Sequence, residues 1–235
     1  MLKYKKIKFK RNDFVLKIPS SEFFSGEKIA IMGENGSGKT TFLHLLSGII
    51  ENKFVFYNDK ELKKVSYKER AEIFSFLPQF SSVFFPFKVY EVVSFGQFVS
   101  NKTDMDKIDN ALKQMDILNL KNREFTSLSG GEKRRVMIAR VIVQNPPVLL
   151  LDEPVSMLDI RHSMEILTYF NSLEKTVIAS MHDINMAVKF FERFIFLKEG
   201  KQIADVKKTE IDIKLLREVF GVEIIDNNGV FDFKL

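Results

Sequence analysis

Between two apolar runs, Lys28-Ile-Ala-Ile-Met32 and Thr41-Phe-Leu-His-Leu-Leu46, the chain places Gly33-Glu-Asn-Gly-Ser-Gly-Lys-Thr-Thr41. The spacing is G-x-x-x-x-G-K-[ST]. The glycines let successive backbone N–H groups turn inward on a phosphate, which a Cβ would obstruct. A lysine supplies a mobile positive charge, and the hydroxyl after it suits a hard cation. Such a loop works when a buried strand delivers it and a helix leaves it, because the positive helix N-terminus then faces the anion. Both flanks meet that demand, so the chain is predicted to fold as an α/β protein around this turn. Gly33, Glu34, Asn35, Gly36, Ser37, Gly38, Lys39, Thr40 and Thr41 are the candidate nucleotide-binding residues.

A length of 235 residues allows one large α/β domain or two small ones. There is no cysteine, which excludes a disulfide framework and thiolate metal sites. The opening residues lack the apolar core of a secretion signal. The longest uncharged stretch, Ile73 to Phe87, is interrupted by Pro78 and Pro86 and is too short to span a bilayer. Residues 1–11 carry six positive charges within a net charge of +5. They read as the solvated face of an edge strand, with Tyr4, Ile7 and Phe9 on the buried side. A nucleic-acid or acidic-lipid patch is the alternative, and no recognised nucleic-acid motif accompanies it.

Residues 1–75 read as strand-rich, with turns at Asn12-Asp13 and Asn58-Asp59. A short helix is predicted within 62–73, before the strand-like Phe74-Ser-Phe-Leu77. Residues 88–144 change character: 88–100, 105–118 and 132–143 carry apolar residues at helical spacing. Strands then follow at Val148-Leu-Leu-Leu151, Val177-Ile-Ala-Ser180 and Phe194-Ile-Phe-Leu197, with helices over 160–174 and 183–192 between them. That alternation predicts a mostly parallel sheet with crossover helices. A last helix over 211–220 precedes two short strands joined by Asn227-Asn228-Gly229, a hairpin signal.

Two further constellations carry chemistry. Leu128-Ser-Gly-Gly-Glu132 opens a helix: Ser129 is a good N-cap, and Gly130 and Gly131 leave N–H groups open to an anion. Val148-Leu-Leu-Leu-Asp152-Glu153 sets two carboxylates at the carboxyl end of a buried strand, the edge where open α/β sheets bind ligands. Asp152 can hold Mg²⁺, and Glu153 can orient or deprotonate a water.

Together these elements resemble the ATP-binding cassette (ABC) family of ATPases over nearly the whole chain. Gly33–Thr41 resembles the Walker A segment, Leu128–Glu132 the family signature and Val148–Glu153 Walker B. Gln79 resembles the Q-loop glutamine, Asp159 in Ser156-Met-Leu-Asp159 the D-loop acid, and His182 the switch histidine. The resemblance implies a P-loop NTPase (RecA-like) core with a mostly parallel sheet, an antiparallel β subdomain and an inserted α-helical subdomain. It implies one domain over 1–235, with 1–87 and 145–235 as the nucleotide-binding core and 88–144 as the helical signature subdomain. It implies ATP and Mg²⁺, with Thr40, Gln79 and Asp152 at the metal and Lys39, Gln79, Glu153 and His182 in catalysis. It also implies a head-to-tail dimer in which Ser129, Gly130, Gly131 and Glu132 of a second copy cap the nucleotide.

Two positions depart from the family pattern. Tyr4, Phe9 and Phe14 are near the place of an adenine-stacking aromatic residue, but none has the usual spacing. Val155 stands where Thr or Ser is common.

Tyr67-Lys-Glu-Arg-Ala71, Val89-Tyr-Glu-Val-Val93, Ser94-Phe-Gly96 and Leu158-Asp-Ile-Arg-His162 are similar to ATPases of bacterial importers for iron–siderophore complexes, haem and cobalamin. Gln97 stands where that branch often has arginine. The resemblance implies a peripheral protein at the cytoplasmic face of the membrane, working with a separate permease and, indirectly, an extracellular solute-binding protein. No nucleic-acid partner is expected. The Gln79–Phe87 stretch, with Phe80, Phe84, Phe85 and Phe87, is either core packing or the permease contact; the resemblance favours the contact. The alternatives are an importer for another metal or vitamin, or a soluble ABC ATPase outside transport.

Overall fold

The computed structural model describes residues 1–80, 85–100, 102–227 and 230–234. In chain order the strands are β1 (Leu2–Tyr4), β2 (Ile7–Arg11), β3 (Phe14–Ile18), β4 (Ser21–Phe23), β5 (Lys28–Met32), β6 (Val55–Tyr57), β7 (Lys60–Glu61), β8 (Phe74–Leu77), β9 (Val148–Asp152), β10 (Thr176–Ser180), β11 (Arg193–Lys198), β12 (Lys201–Lys207), β13 (Glu223–Asn227) and β14 (Val230–Lys234). The helices are α1 (Lys39–Ser47), α2 (Tyr67–Ile73), α3 (Val89–Ser94), α4 (Met105–Gln114), α5 (Gly130–Gln144), α6 (Ile160–Ser172), α7 (Ile184–Phe190) and α8 (Ile213–Phe220).

The main sheet runs β2-β3-β12-β11-β5-β10-β9-β8. From β11 through β5, β10 and β9 to β8 every pairing is parallel, while β11–β12 and β2–β3 are antiparallel. All five residues of β5, β9 and β10 are buried, as expected for strands covered on both faces. Their carboxyl ends therefore align, and each delivers its next residues to one edge: Gly33, Glu153 and Met181-His182. A second sheet, β4-β1-β6-β7, is antiparallel. This sheet packs on α1 where Tyr4 meets Phe42, with Phe23 on its other side, ring centroids 5.3 and 5.5 Å from Tyr4.

Residues 1–11 form two strands in two different sheets rather than one edge strand. Leu2–Tyr4 pairs with β4 and β6 inside the antiparallel sheet. Ile7–Arg11 is the outer strand of the main sheet, with Ile7 buried and Lys8, Lys10 and Arg11 exposed. The lysines thus lie on a free edge, where charge discourages further pairing. The opposite edge, β8, is covered by α5. Gln144 Nε2 donates to the carbonyls of Ala71 and Phe74, each at 2.7 Å, and Ser75 Oγ donates to Gln144 Oε1 at 2.8 Å.

Between β8 and β9 the chain forms α3, α4 and α5, whose apolar faces meet through Val92, Ile108, Leu112, Val136 and Ile138. The helix predicted over 88–100 stops at Ser94 and tightens into a 3₁₀ turn over 95–97. The backbone there presses against α5: a Cβ on Gly96 would lie 2.2 Å from the Arg140 carbonyl oxygen. Gln97 then turns inward, donating to the Asp104 carbonyl at 3.0 Å and accepting its N–H at 2.8 Å. The closing pair β13–β14 is antiparallel as predicted; Asn228 and Gly229 of its turn lie outside the described residues.

Phe42 is fully buried where α1, the antiparallel sheet and β5 meet. Phe42→Ala should lower the unfolding free energy by about 3–5 kcal/mol in a urea titration, the cost of a large core truncation with its cavity.

Candidate functional site

The turn after β5 is forced into shape at Gly33. Its φ is +145°, and a Cβ there would lie 2.1 Å from the Leu197 carbonyl oxygen of β11. That contact is with backbone and cannot move aside. The loop then runs into α1, beginning at Lys39. Lys39 is buried, and its Nζ donates to the carbonyls of Gly33 at 2.7 Å and Glu34 at 3.0 Å. Burial pulls its pKa down, while the Glu153, Asp152 and Glu34 carboxylates push it back.

Asp152, at the end of β9, is 1% exposed. Its two carboxylate oxygens each accept a hydroxyl: Thr40 Oγ1 donates to Oδ2 at 2.7 Å, and Ser180 Oγ donates to Oδ1 at 2.5 Å. Glu153 follows with φ +49°, and its N–H donates to Ser180 Oγ at 2.9 Å. Its Oε1 contacts Nε2 of His182, which leaves β10 beside it. Gln79, two residues past β8, faces the same space. A cavity of about 650 Å³ is lined by Asn35, Gly36, Lys39, Thr40, Gln79 and Glu153, together with Arg11–Phe14 of the β2–β3 turn. The structure thus brings together the glycine-rich loop, Gln79, Asp152, Glu153 and His182.

The residues fit a Mg²⁺–phosphate group. Thr40, Asp152 and Gln79 offer hard oxygen ligands, the set that cation prefers. Ser37 Oγ is buried in the loop without a hydrogen-bond partner. Among the described residues no three His, Cys, Asp or Glu side chains converge as a metal cluster. A cation here would draw on the hydroxyl, amide and carboxylate just named.

The Ser129–Glu132 turn does not line this cavity. It faces solvent: Ser129 and Gly130 are exposed, and Gly131 lies against Met157 of its own chain. Ser129 Oγ accepts the Glu132 N–H at 3.3 Å, while the Glu132 carboxylate accepts the Ser129 N–H and hydroxyl, each at 2.8 Å. This capping box leaves the N–H groups of Gly130 and Gly131 outside it. Asp159 caps α6, accepting the His162 N–H at 2.9 Å and contacting the His162 ring at 2.7 Å. Val155 is half-buried and joins Leu158 and Met186 in a smaller cavity beside Glu153 and His182.

Of the three aromatic candidates near the chain start, Phe14 lines the larger cavity. Tyr4 is buried between Phe23 and Phe42, and Phe9 packs on the core. Sequence reasoning missed Arg11, whose place at the cavity only the β2–β3 hairpin reveals. It also missed Ser180, a hydroxyl ending an apolar strand, and Arg134. Arg134 had a legible signal: it shares a helical face with Met137, Ile138 and Val141. Of the aromatic stretch, Phe80 and Phe85 are exposed, Phe87 packs half-buried on the core, and Phe84 lies outside the described residues.

Strand, glycine-rich loop, buried lysine and a carboxylate pair at the sheet edge define a P-loop nucleoside triphosphatase. Residues 16–156 match the family model for ABC transporters, and the chain belongs to that family. It is 39% identical over 214 residues to the hemin import ATP-binding protein HmuV of Rhodopseudomonas palustris (strain HaA2), covering 85% of this chain and 82% of that one. The protein of the same name from Bordetella avium (strain 197N) is 34% identical over 216 residues, covering 84% and 83%. Among solved structures, the dimeric ATP-binding cassette MJ0796 bound to ADP and Pi aligns with a TM-score of 0.78 and 27% identity, over 88% of this chain and 99% of that one. A metal-chelate type ABC transporter in an inward-facing conformation aligns at 0.79 and 25% identity, over 99% and 95%. The chain is an ATPase of this family.

Hydrogen bonds from Ser129 lower the Glu132 pKa. A depressed carboxyl pKa contributes stability that is full above its unfolded value and is lost as pH falls through the folded value. Glu132→Gln should therefore flatten the stability-versus-pH curve of the protein below pH 4.5, the unperturbed value, in urea melts from pH 6 to pH 3.

Proposed function

We propose that this chain is the ATP-hydrolysing subunit of an importer for haem or a related iron chelate. The observation that carries the reading is the split site: one cavity is lined by the glycine-rich loop and Glu153, while the Ser129–Glu132 turn points away to solvent. A second copy placed head to tail supplies that turn, so nucleotide favours the closed dimer by differential affinity. In this reading Gly33–Thr41 cradle the phosphates and Lys39 neutralises the β- and γ-oxygens. Ser129, Gly130, Gly131 and Glu132 of the partner close the γ-phosphate side, with Asp159 at the same interface. Glu153 orients and deprotonates the attacking water, and His182 holds that carboxylate and the transferring phosphoryl group. Thr40, Asp152 and Gln79 would hold Mg²⁺, which supplies charge neutralisation on the phosphates when bound. Arg11 and Phe14 are placed to contact the base.

The helical segment 88–144 acts as a unit carrying the signature turn, and residues 1–87 and 145–235 form the core. Among the described residues no helix is long and apolar enough to cross a membrane. The transport path accordingly belongs to a separate permease, which this chain meets from the cytoplasmic side. An extracellular solute-binding protein would deliver cargo to that permease. Phe80, Phe85, Phe95 and Phe98 are exposed, and Phe85, Phe87 and Phe95 chain edge to face at 6.0 and 5.2 Å. An apolar surface beside Gln79 suits a docked permease segment. The relatives' printed role in hemin import supports the cargo class.

Ser129→Arg should abolish ATP turnover while leaving binding of a fluorescent nucleotide intact; unchanged turnover would exclude the shared site. Glu153→Gln should bind ATP, form a stable dimer by light scattering and hydrolyse at least a hundredfold more slowly. Affinity capture of the tagged chain from gently solubilised native membranes should recover a multi-helix permease. Recovery only from the soluble fraction would move the protein out of transport.

A further inference from the structure

Arg134 is 5% exposed, on the apolar face of α5. Burying a guanidinium is costly unless every donor is matched. Here the match is made by five main-chain carbonyls. Nη1 donates to Pro78 at 2.6 Å and Gln79 at 3.3 Å. Nη2 donates to Asp152 at 2.7 Å and Glu153 at 2.6 Å, and Nε to Pro154 at 3.1 Å. No side-chain carboxylate takes part. All five acceptors lie just past β8 or at the end of β9, in the segments that present Gln79 and the Asp152-Glu153 pair.

Glu153 has φ +49°, a left-handed backbone that a non-glycine residue holds only when its surroundings enforce it. The enforcing contacts are on both sides of the residue. Its N–H is held by Ser180 Oγ and its carbonyl by Arg134. The direction of its carboxylate, toward His182, follows from that clamp. Arg134 also sits five residues from Ser129 on the same helix. One rigid helix thus carries the signature turn at its N-terminus and, a turn and a half further on, the group that grips the Glu153 and Gln79 backbones.

We propose that Arg134 is a positioning residue for ATP hydrolysis: it fixes the Glu153 and Gln79 main chains and ties them to the helix that bears Ser129–Gly131. The inference rests on the reading of Glu153 as the group that activates water. Engagement of the signature turn by a second copy's nucleotide then bears directly on the chain's own carboxylate.

The test compares Arg134→Met with Arg134→Lys in the full-length protein, measuring kcat and KM for ATP and the dissociation constant of a fluorescent ATP analogue. The Met variant keeps an unbranched apolar stem, shorter than that of Arg, and loses every donor; the Lys variant keeps charge and some donors. The expected result is a fall of about tenfold to a hundredfold in kcat for Met, the scale of a displaced catalytic group. KM and analogue affinity should stay within threefold, and Lys should recover part of the loss. Wild-type kcat in the Met variant would overturn the proposal. So would kcat and analogue affinity falling together with no recovery in Lys. If the Met variant does not fold, Arg134→Gln, which retains two N–H donors, replaces it under the same criteria. Failure of both to fold would assign Arg134 to stability alone and overturn its positioning role. Glu153→Gln run in parallel separates the two readings. Full turnover there would remove the role of Glu153 and this inference with it. Its loss alongside wild-type kcat in Arg134→Met would remove this inference alone.

Discussion

The site is organised around one buried carboxylate. Asp152 is sealed from water, and each of its oxygens takes a hydroxyl from a different element: Thr40 of α1 and Ser180 of β10. A lone buried carboxylate carries a large desolvation penalty, and donors at both oxygens offset it. The same two bonds hold three elements in register, because α1, β9 and β10 cannot shift without breaking one of them. Lys39 lies close enough for Asp152 and Glu153 to favour its charged form against burial. Under the proposed reading, the loop that would receive phosphate is aligned by the residue that would offer oxygen to a cation.

The parallel sheet places this arrangement where a ligand can reach it. β5, β9 and β10 are neighbours and buried along their length, so their carboxyl ends open on one edge. Ser129 does not reach it, because the first turn of α5 faces solvent while the rest of the helix runs back along the β8 edge. Its polar side chains instead bind β8 and the turns beyond it. Gln144 serves Ala71 and Phe74, and Arg134 serves Pro78 and Gln79. Covering the sheet edge and exposing the glycine turn are two consequences of one helix placement. Under the proposed reading, that geometry is what makes a second copy necessary.

The elements closest to the chemistry were the most legible in the sequence. The glycine-rich loop has fixed spacing, and β9 and β10 are apolar runs bounded by polar residues, so strand, loop and carboxylate pair could be placed without coordinates. The first eleven residues were less legible. One lysine-rich alternation covers two strands that belong to different sheets, and only long-range pairing with β4, β6 and β3 separates them. The helix expected over 88–100 ends early, at Ser94, because its end depends on a close approach to Arg140 that local periodicity does not encode. Ser180 and Arg134 were missed for a related reason. Ser180 serves the Asp152 carboxylate and the Glu153 N–H, and Arg134 serves main-chain carbonyls, all distant in sequence, and such long-range pairing leaves no trace in local residue pattern.

Gln79 shows how short the path is between the exposed phenylalanines and the carboxylate pair. Leu77 is fully buried in β8, and Phe80, three residues on, is 68% exposed. The chain crosses from core to surface in that span, with Gln79 facing the cavity of the glycine-rich loop on the way. Its carbonyl and that of Pro78 are held by the guanidinium that also holds Glu153. Packed interiors resist continuous deformation, so displacement at one end of so short a segment is passed on rather than absorbed. A permease segment resting on the exposed phenylalanines would thus need no long relay through the fold. Two residues of backbone and one buried side chain connect that surface to the carboxylate.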